Sequence, residues 1–231
     1  MSDHVLPRRL NAYLEFARAH PELFDAPVGE LRILLDPAEI RGVERTVARS
    51  LARRGLPASQ AQVGIVFEDP WFFILRDAVE FPDGSRRTHT RTFNRVGNGS
   101  AVLPVLEGRI VLVRQFRHPP RRWLLEIPRG AIEPGQTPED AARAELREEA
   151  GGEVLRLVPL GFVYGSTHLY HNGAHLFYAE LESVGAPQLS EGITAVEQVS
   201  VVRFEELLRG GELLDAITLA AFAHARVRGL V

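Results

Sequence analysis

The chain has 231 residues, 45% of them hydrophobic, a formal net charge of −3 and no cysteine. That apolar content argues against disorder and suffices for a substantial core, as one domain plus an extension or as two small domains. The charge offers no field to draw in nucleic acid, and the missing thiols exclude disulfides and thiolate zinc sites. No apolar run is long enough to cross a bilayer or form a signal-peptide core, so a soluble cytoplasmic protein with no nucleic-acid or membrane partner is expected.

Residues 1–60 read as a helical extension. Leu10, Tyr13, Leu14 and Ala17 recur at helical spacing, and His20-Pro21 closes that segment. Asp36-Pro37-Ala38-Glu39 is a capping box with proline at the first helical position. It opens a helix through about Arg54, with Ile40, Val43, Val47 and Leu51 on one side and Gly55 as its stop. Arg41, Arg45, Arg49 and Arg53 form a basic stripe on that helix, read as solvated. Residues 61–97 turn to β-branched and aromatic texture: strands at 63–67 and 71–81, a Pro82-Asp83-Gly84 turn, and a return strand at 86–96. Beyond the Asn98-Gly99 turn come strands at 101–106 and 109–116, joined at Glu107-Gly108, and a short strand at 123–127. Further strands are expected at 155–164, 174–180 and 198–204, and helices at 205–208 and from the N-cap Asp215 to about Arg228. Strands on both sides of one central helix, with another helix at the end, predict an α/β fold with a mixed sheet and helices on its faces.

The central helix is the chemically distinctive stretch, GAIEPGQTPEDAARAELREEAGG over 130–152. Thr137, Pro138 and Asp140 form an N-cap, a first-turn proline and an acid three residues on, and Gly151-Gly152 stop the helix. At ~100° per residue, Glu145, Glu148 and Glu149 fall within roughly a third of the circumference. Such a cluster is either a solvated acidic face or a site for a hard cation such as magnesium or manganese, which wants oxygen ligands. The Gly/Pro-rich loop in front, Pro128-Arg129-Gly130 through Pro134-Gly135, delivers backbone carbonyls beside the helix and favours the cation.

Written G-x5-E-x7-R-E-U-x-E-E-x-G-U, with U a bulky apolar residue, this pattern resembles the box of the Nudix hydrolases. Gly130, Glu145, Leu146, Glu148, Glu149 and Gly151 match; Gln136 stands in place of Glu, Ala144 in place of Arg and Gly152 in place of an apolar residue. VLVRQFRHP ahead of LEIPRGAIEPG, and the closing DAITLAAF, are similar to the ADP-ribose pyrophosphatase branch. The resemblance implies a Nudix α/β/α sandwich over 98–231, preceded by a β region at 61–97 that forms a homodimer and by the helical extension. It implies hydrolysis, dependent on Mg2+ or Mn2+, of the pyrophosphate bond in a nucleoside diphosphate linked to another moiety such as ADP-ribose or an ADP-sugar.

By the same resemblance, Glu145, Glu149 and the Arg129 carbonyl hold metal, while Glu148 holds a further ion or orients water. The base comes from the segment LSEGITAVEQVSVVRF, Glu197 first and Glu191 in reserve. Arg117 is carried over as a diphosphate or ribose ligand, against the reading of an ordinary strand-end arginine. Glu126 is a substrate or supporting acid, and Trp71 stacks on adenine or belongs to the core. With Gln136 and Ala144 the site loses an acid and a base together, so weakened bracing is expected, with Arg143 or Arg147 as substitute. The run VYGSTHLYHNGAH lacks the Pro-Gly turn of the branch; its His168, His171 and His175 have spacings that suggest zinc, but the Asn172-Gly173 turn and a strand starting at His175 mean that their rings need not converge, and lining the substrate pocket is the other reading. Two alternatives stand beside this reading: a hydrolase of dinucleotide substrates and a non-catalytic Nudix ligand sensor.

Overall fold

The structure is a computed structural model that describes residues 7–25, 30–186 and 192–231. It divides into two compact units: one runs through Arg95 and includes 168–171, and the other comprises 96–167 and 172–231. No helix among the described residues is long and apolar enough to cross a membrane.

The first unit contains α1 (Arg8–Ala19), β1 (Arg32–Leu34), α2 (Pro37–Arg53), β2 (Gly64–Glu68), β3 (Phe72–Glu80) and β4 (Arg86–Asn94). The central strand is β3. Along its whole length β4 pairs on one edge, while β2 and β1 share the other end to end, all antiparallel. The Asp36 carboxylate accepts from the N–H groups of Ala38 and Glu39, both at 2.9 Å, so the expected cap of α2 forms. The three-residue strand β1 is too short to show a period and is absent from the sequence reading. Leu10, Tyr13 and Ala17 of α1 and Ile40 and Val43 of α2 share one core with Leu34, Leu75, Ala78 and Phe93. The helices of the first sixty residues thus pack on the sheet of the next forty.

A charged group sits within that core. Asp77, 1% exposed, accepts from the Tyr13 hydroxyl at 2.7 Å and from Arg91 through Nε at 2.6 Å and Nη2 at 3.1 Å. Arg91 Nη1 donates onward to the Leu23 carbonyl at 2.7 Å. Burial above all, and then Asp77, push the Tyr13 phenol far above its usual range, so it remains a donor.

The second unit is a seven-stranded mixed sheet of β5 (Gly99–Leu106), β6 (Arg109–Arg117), β7 (Arg122–Glu126), β8 (Arg129–Ala131), β9 (Glu153–Val163), β10 (Ala174–Ser183) and β11 (Ile193–Ser200). Its helices are α3 (Pro138–Ala150), α4 (Val201–Arg209) and α5 (Ala216–Val227). The β5 and β10 pair is parallel and the other pairs are antiparallel. Alternation along the strands gives each face its own core. Ala101, Leu103, Ile110 and Leu112 meet Phe204, Phe222 and Ala225 of α4 and α5; Val102, Val111 and Val113 meet Ala142, Leu146 and Ala150 of α3. This is the expected sandwich. Two elements differ: β8 forms within the segment expected as a loop, and residues 198–204, expected as a strand, are divided at Ser200. Its hydroxyl accepts from the Arg203 N–H at 3.1 Å and starts α4 inside a β-branched run.

The sheet also opens a place for a site. Strands β5 and β6 pair only beside their hairpin, at Val105 with Ile110 and Leu106 with Arg109. Beyond that they part, with β7 laid along β6 from Val113 to Arg117 and β8 along β5 from Gly99 to Ala101. The segment joining β7 to β8 therefore sits in the gap, pinned where the Val102 N–H donates to the Pro128 carbonyl at 3.0 Å.

Candidate active site

The box helix is fixed at both ends. Thr137 Oγ1 accepts from the Asp140 N–H and the Asp140 carboxylate accepts from the Thr137 N–H, each at 3.1 Å, which completes the expected capping box. At the other end Gly151 adopts φ 58°, and a Cβ there would come within 2.7 Å of the Gly185 Cα, so glycine is required twice over.

Two of the three acids turn toward the loop. Glu149 is 3% exposed and accepts from the Arg129 N–H through Oε2 at 2.9 Å. Glu145 lies in the notch over Gly130, where an added Cβ would stand only 1.9 Å from its Oε1. Positions four apart lie about 40° apart around a helix, whereas Glu148 is rotated about 100° from Glu149 and is exposed. Glu145 and Glu149 thus face the loop, with Glu148 on their flank within the same third of the circumference. Among the described residues no three His, Asp or Glu side chains gather into a ready-made metal cage. The donor set that could hold a hard cation is two carboxylates with the Arg129 carbonyl, beside a notch kept open by a missing side chain.

Behind this pair lies a buried ion network. Glu126 is fully buried and accepts from Arg117 through Nε and Nη2, the latter at 2.7 Å, and from Arg129 Nη2 at 2.7 Å. Arg129 Nη1 meets Asp215 Oδ1 at 3.0 Å. Asp215 Oδ2 in turn accepts from the Thr218 N–H and hydroxyl, both at 2.8 Å, and Thr218 Oγ1 accepts from the Ile127 N–H at 3.1 Å. The start of α5 is thereby tied to the strand that feeds the loop. Burial disfavours the Arg117 cation, but the bonds and charge of Glu126, with the fields of Glu149 and Asp215, outweigh it and raise its pKa. Glu126 is therefore the buried partner of two arginines, and Arg117 is first of all its counterion.

The remaining candidates lie elsewhere. Glu197 pairs in register with Leu112, whose side chain belongs to the α4 and α5 face, opposite the face that α3 covers. Its Oε1 is held by Arg114 at 2.7 Å. The segment match that suggested Glu197 carried no information about sheet face. Glu191, its reserve, lies outside the described residues. Trp71 is in the first unit at the turn into β3, where Asp69 accepts from its N–H at 2.8 Å; at 71% exposed it is not a core residue. His168 and His171 are also in the first unit, against His89 and Phe93 respectively, while His175 packs on Phe162 in the second. Gln136 closes the loop turn: its N–H donates to the Glu133 carbonyl at 3.0 Å and its Oε1 accepts from the Glu133 N–H at 3.1 Å. Arg147 is exposed, and Arg143 lies beside the cap acid Asp140, whose pKa hydrogen bonds from Thr137 and, more weakly, Arg143 hold down. The Arg129 side chain, Asp215 and Thr218 were not singled out for this network from sequence. Asp215 showed only as a helix cap, and nothing in a one-dimensional pattern ties it to residue 129.

Comparison with known proteins agrees with this geometry. The NUDIX domain family matches residues 97–222, over half of the chain. An ADP-ribose pyrophosphatase of Bacillus subtilis (strain 168) is 33% identical over 154 residues, 65% of this chain and 82% of that protein. An ADP-sugar pyrophosphatase of Mus musculus is 35% identical over 107 residues, 41% of this chain and 49% of that one. An ADP-ribose pyrophosphatase of Haemophilus influenzae is 35% identical over 116 residues, 46% and 54% respectively; the match thus spans about half the length of these last two. Among solved structures, one titled "Crystal structure of ADP compounds hydrolase" superposes with a TM-score of 0.61 at 22% identity, covering 73% of this chain and 93% of that one, a likeness of fold. With the capped box helix, the Gly130 notch and the sandwich in place, the chain belongs to the Nudix superfamily, among its ADP-ribose pyrophosphatase-like pyrophosphohydrolases.

Proposed function

We propose that the protein uses Mg2+ or Mn2+ to hydrolyse the pyrophosphate bond of a nucleoside diphosphate linked to another moiety, ADP-ribose or an ADP-sugar-like compound, releasing the nucleoside monophosphate. The observation that carries this reading is the pair Glu145 and Glu149 facing the Arg129-Gly130 segment, one over a glycine notch and one on a main-chain N–H. A divalent ion held there would supply positive charge against the phosphoryl oxygens and favour ionisation of the attacking water. Glu145, Glu149 and the Arg129 carbonyl are the proposed ligands. Glu148, exposed on the flank, holds a further ion or orients the attacking water. Glu126 takes the Nε and Nη2 edge of Arg117, so contact with the diphosphate falls to Nη1.

The pure protein, incubated with magnesium and a panel of ADP-ribose, nucleotide sugars and dinucleotides, is expected to release monophosphate from the ADP-linked members. Binding without turnover on any member would instead identify a ligand sensor. Gly130→Ala is expected to lower kcat roughly a hundredfold, because the new methyl evicts Glu145 from its notch and misplacement by about 1 Å costs that much. Its thermal midpoint should stay close to wild type, since only the end of a flexible side chain moves; unchanged kcat would remove Glu145 from the site.

The homodimer is proposed for the first unit. Trp71, Phe67 and Phe72 are all exposed, with the two phenylalanine rings stacked at 5.3 Å, an apolar patch of the kind a second copy covers. Sedimentation is expected to give a dimer that Trp71→Ala weakens, and a wild-type monomer at all concentrations would refute the assignment.

A further inference from the structure

The box pattern has a glutamate and an arginine where this chain has Gln136 and Ala144. The strand before the helix makes contacts of its own. The Arg129 N–H donates to Glu149 at 2.9 Å, its Nη2 to Glu126 at 2.7 Å, and its Nη1 meets Asp215 at 3.0 Å. One residue therefore joins the box helix, the end of β7 and the first turn of α5. Glu126 and Glu149 are both nearly inaccessible, and buried carboxylates hold their places only when paired. Around them stand three carboxylates, counting Asp215, and two guanidiniums, counting Arg117. Removing the Arg129 side chain would strip Glu126 of one of its two guanidinium partners and Asp215 of its ion pair with Arg129.

We propose that the Arg129 side chain is a positioning residue that takes over the bracing duty of the absent box arginine. Anchored at Glu126 and Asp215, it fixes the backbone at residue 129, and with it the N–H that orients Glu149 and the carbonyl of the following peptide unit. The proposal rests on the metal-site reading above. A planar fork suits the task because the two acids lie on different elements and each takes a different Nη; a lysine offers one compact charge.

The test is Mn2+ binding to the full chain without substrate, followed by the paramagnetic signal of the free ion, with thermal midpoints measured alongside. Arg129→Ala is expected to weaken Mn2+ at least about tenfold, in the range typical of residues that support metal ligands. Arg129→Lys should recover part of that loss. Asp215→Asn, which keeps an oxygen for Thr218 but loses the charge that anchors Arg129, should give a smaller loss in the same direction. A purely structural role would lower the thermal midpoint and leave Mn2+ affinity of the folded protein unchanged. That result, with Glu149→Gln losing Mn2+ in the same assay, overturns the role of Arg129 and leaves the metal site standing. Full Mn2+ binding by Glu149→Gln overturns the metal site and this proposal together. Should Arg129→Ala fail to fold, Asp215→Asn decides, and wild-type affinity in that variant overturns the proposal.

Discussion

Replacing Glu149 by glutamine is expected to lower kcat about a thousandfold while the fold survives. Glutamine has nearly the same shape, and its amide oxygen still accepts the Arg129 N–H that now reaches Glu149 Oε2. What it loses is the negative charge that binds a divalent ion. Metal stabilisation of a phosphoryl transition state is worth several kcal/mol, and each ~1.4 kcal/mol is a factor of ten in rate. Glu197→Gln serves as the matched control: its carboxylate is held by Arg114 on the opposite face of the sheet, so its kcat should stay within a few-fold of wild type. Steady-state kinetics of the two variants side by side check both statements. The reverse ranking would mean that the acids of the box helix are not where the chemistry occurs.

The largest effect on stability is expected from Asp77→Ala, about 3 kcal/mol. The substitution strips Tyr13, which has no exposed surface, of its acceptor and leaves Arg91 with the Leu23 carbonyl in place of a two-pronged ion pair. Stranding one partner of a buried pair costs roughly 3–5 kcal/mol. The lower end applies because the Arg91 side chain retains 22% exposure. Urea unfolding followed by far-ultraviolet circular dichroism would register the change. A loss below about 1 kcal/mol would show that the network contributes little to holding α1 on the sheet.

Legibility from sequence followed the range over which each feature is encoded. The box helix could be read because its cap, its stop and its acids all lie within a few residues, and Thr137, Asp140 and Gly151 do locally what their types suggest. The same holds for the caps at Asp36 and Asp215. The sheet face of Glu197 could not be read, because it depends on the register between β11 and β6, about 85 residues apart, and register is set by the packed faces. Pairing of Arg117 with Glu126, and the reach of Arg129 to Asp215, depend on how the β6 and β7 hairpin curls and where α5 begins. The boundary at Ser200 was misplaced because valines on either side read as one strand, and a single capping hydroxyl outweighed them. Glycine at 130 was legible as part of a pattern. Only the position of the Glu145 carboxylate explains why no larger residue fits there.

Crystals grown in manganese and measured at its absorption edge test the central claim most directly. An anomalous peak within coordination distance of Glu145, Glu149 and the Arg129 carbonyl is the predicted result. Both carboxylates turned out to solvent, with no peak between the box helix and the Arg129-Gly130 segment, would contradict it.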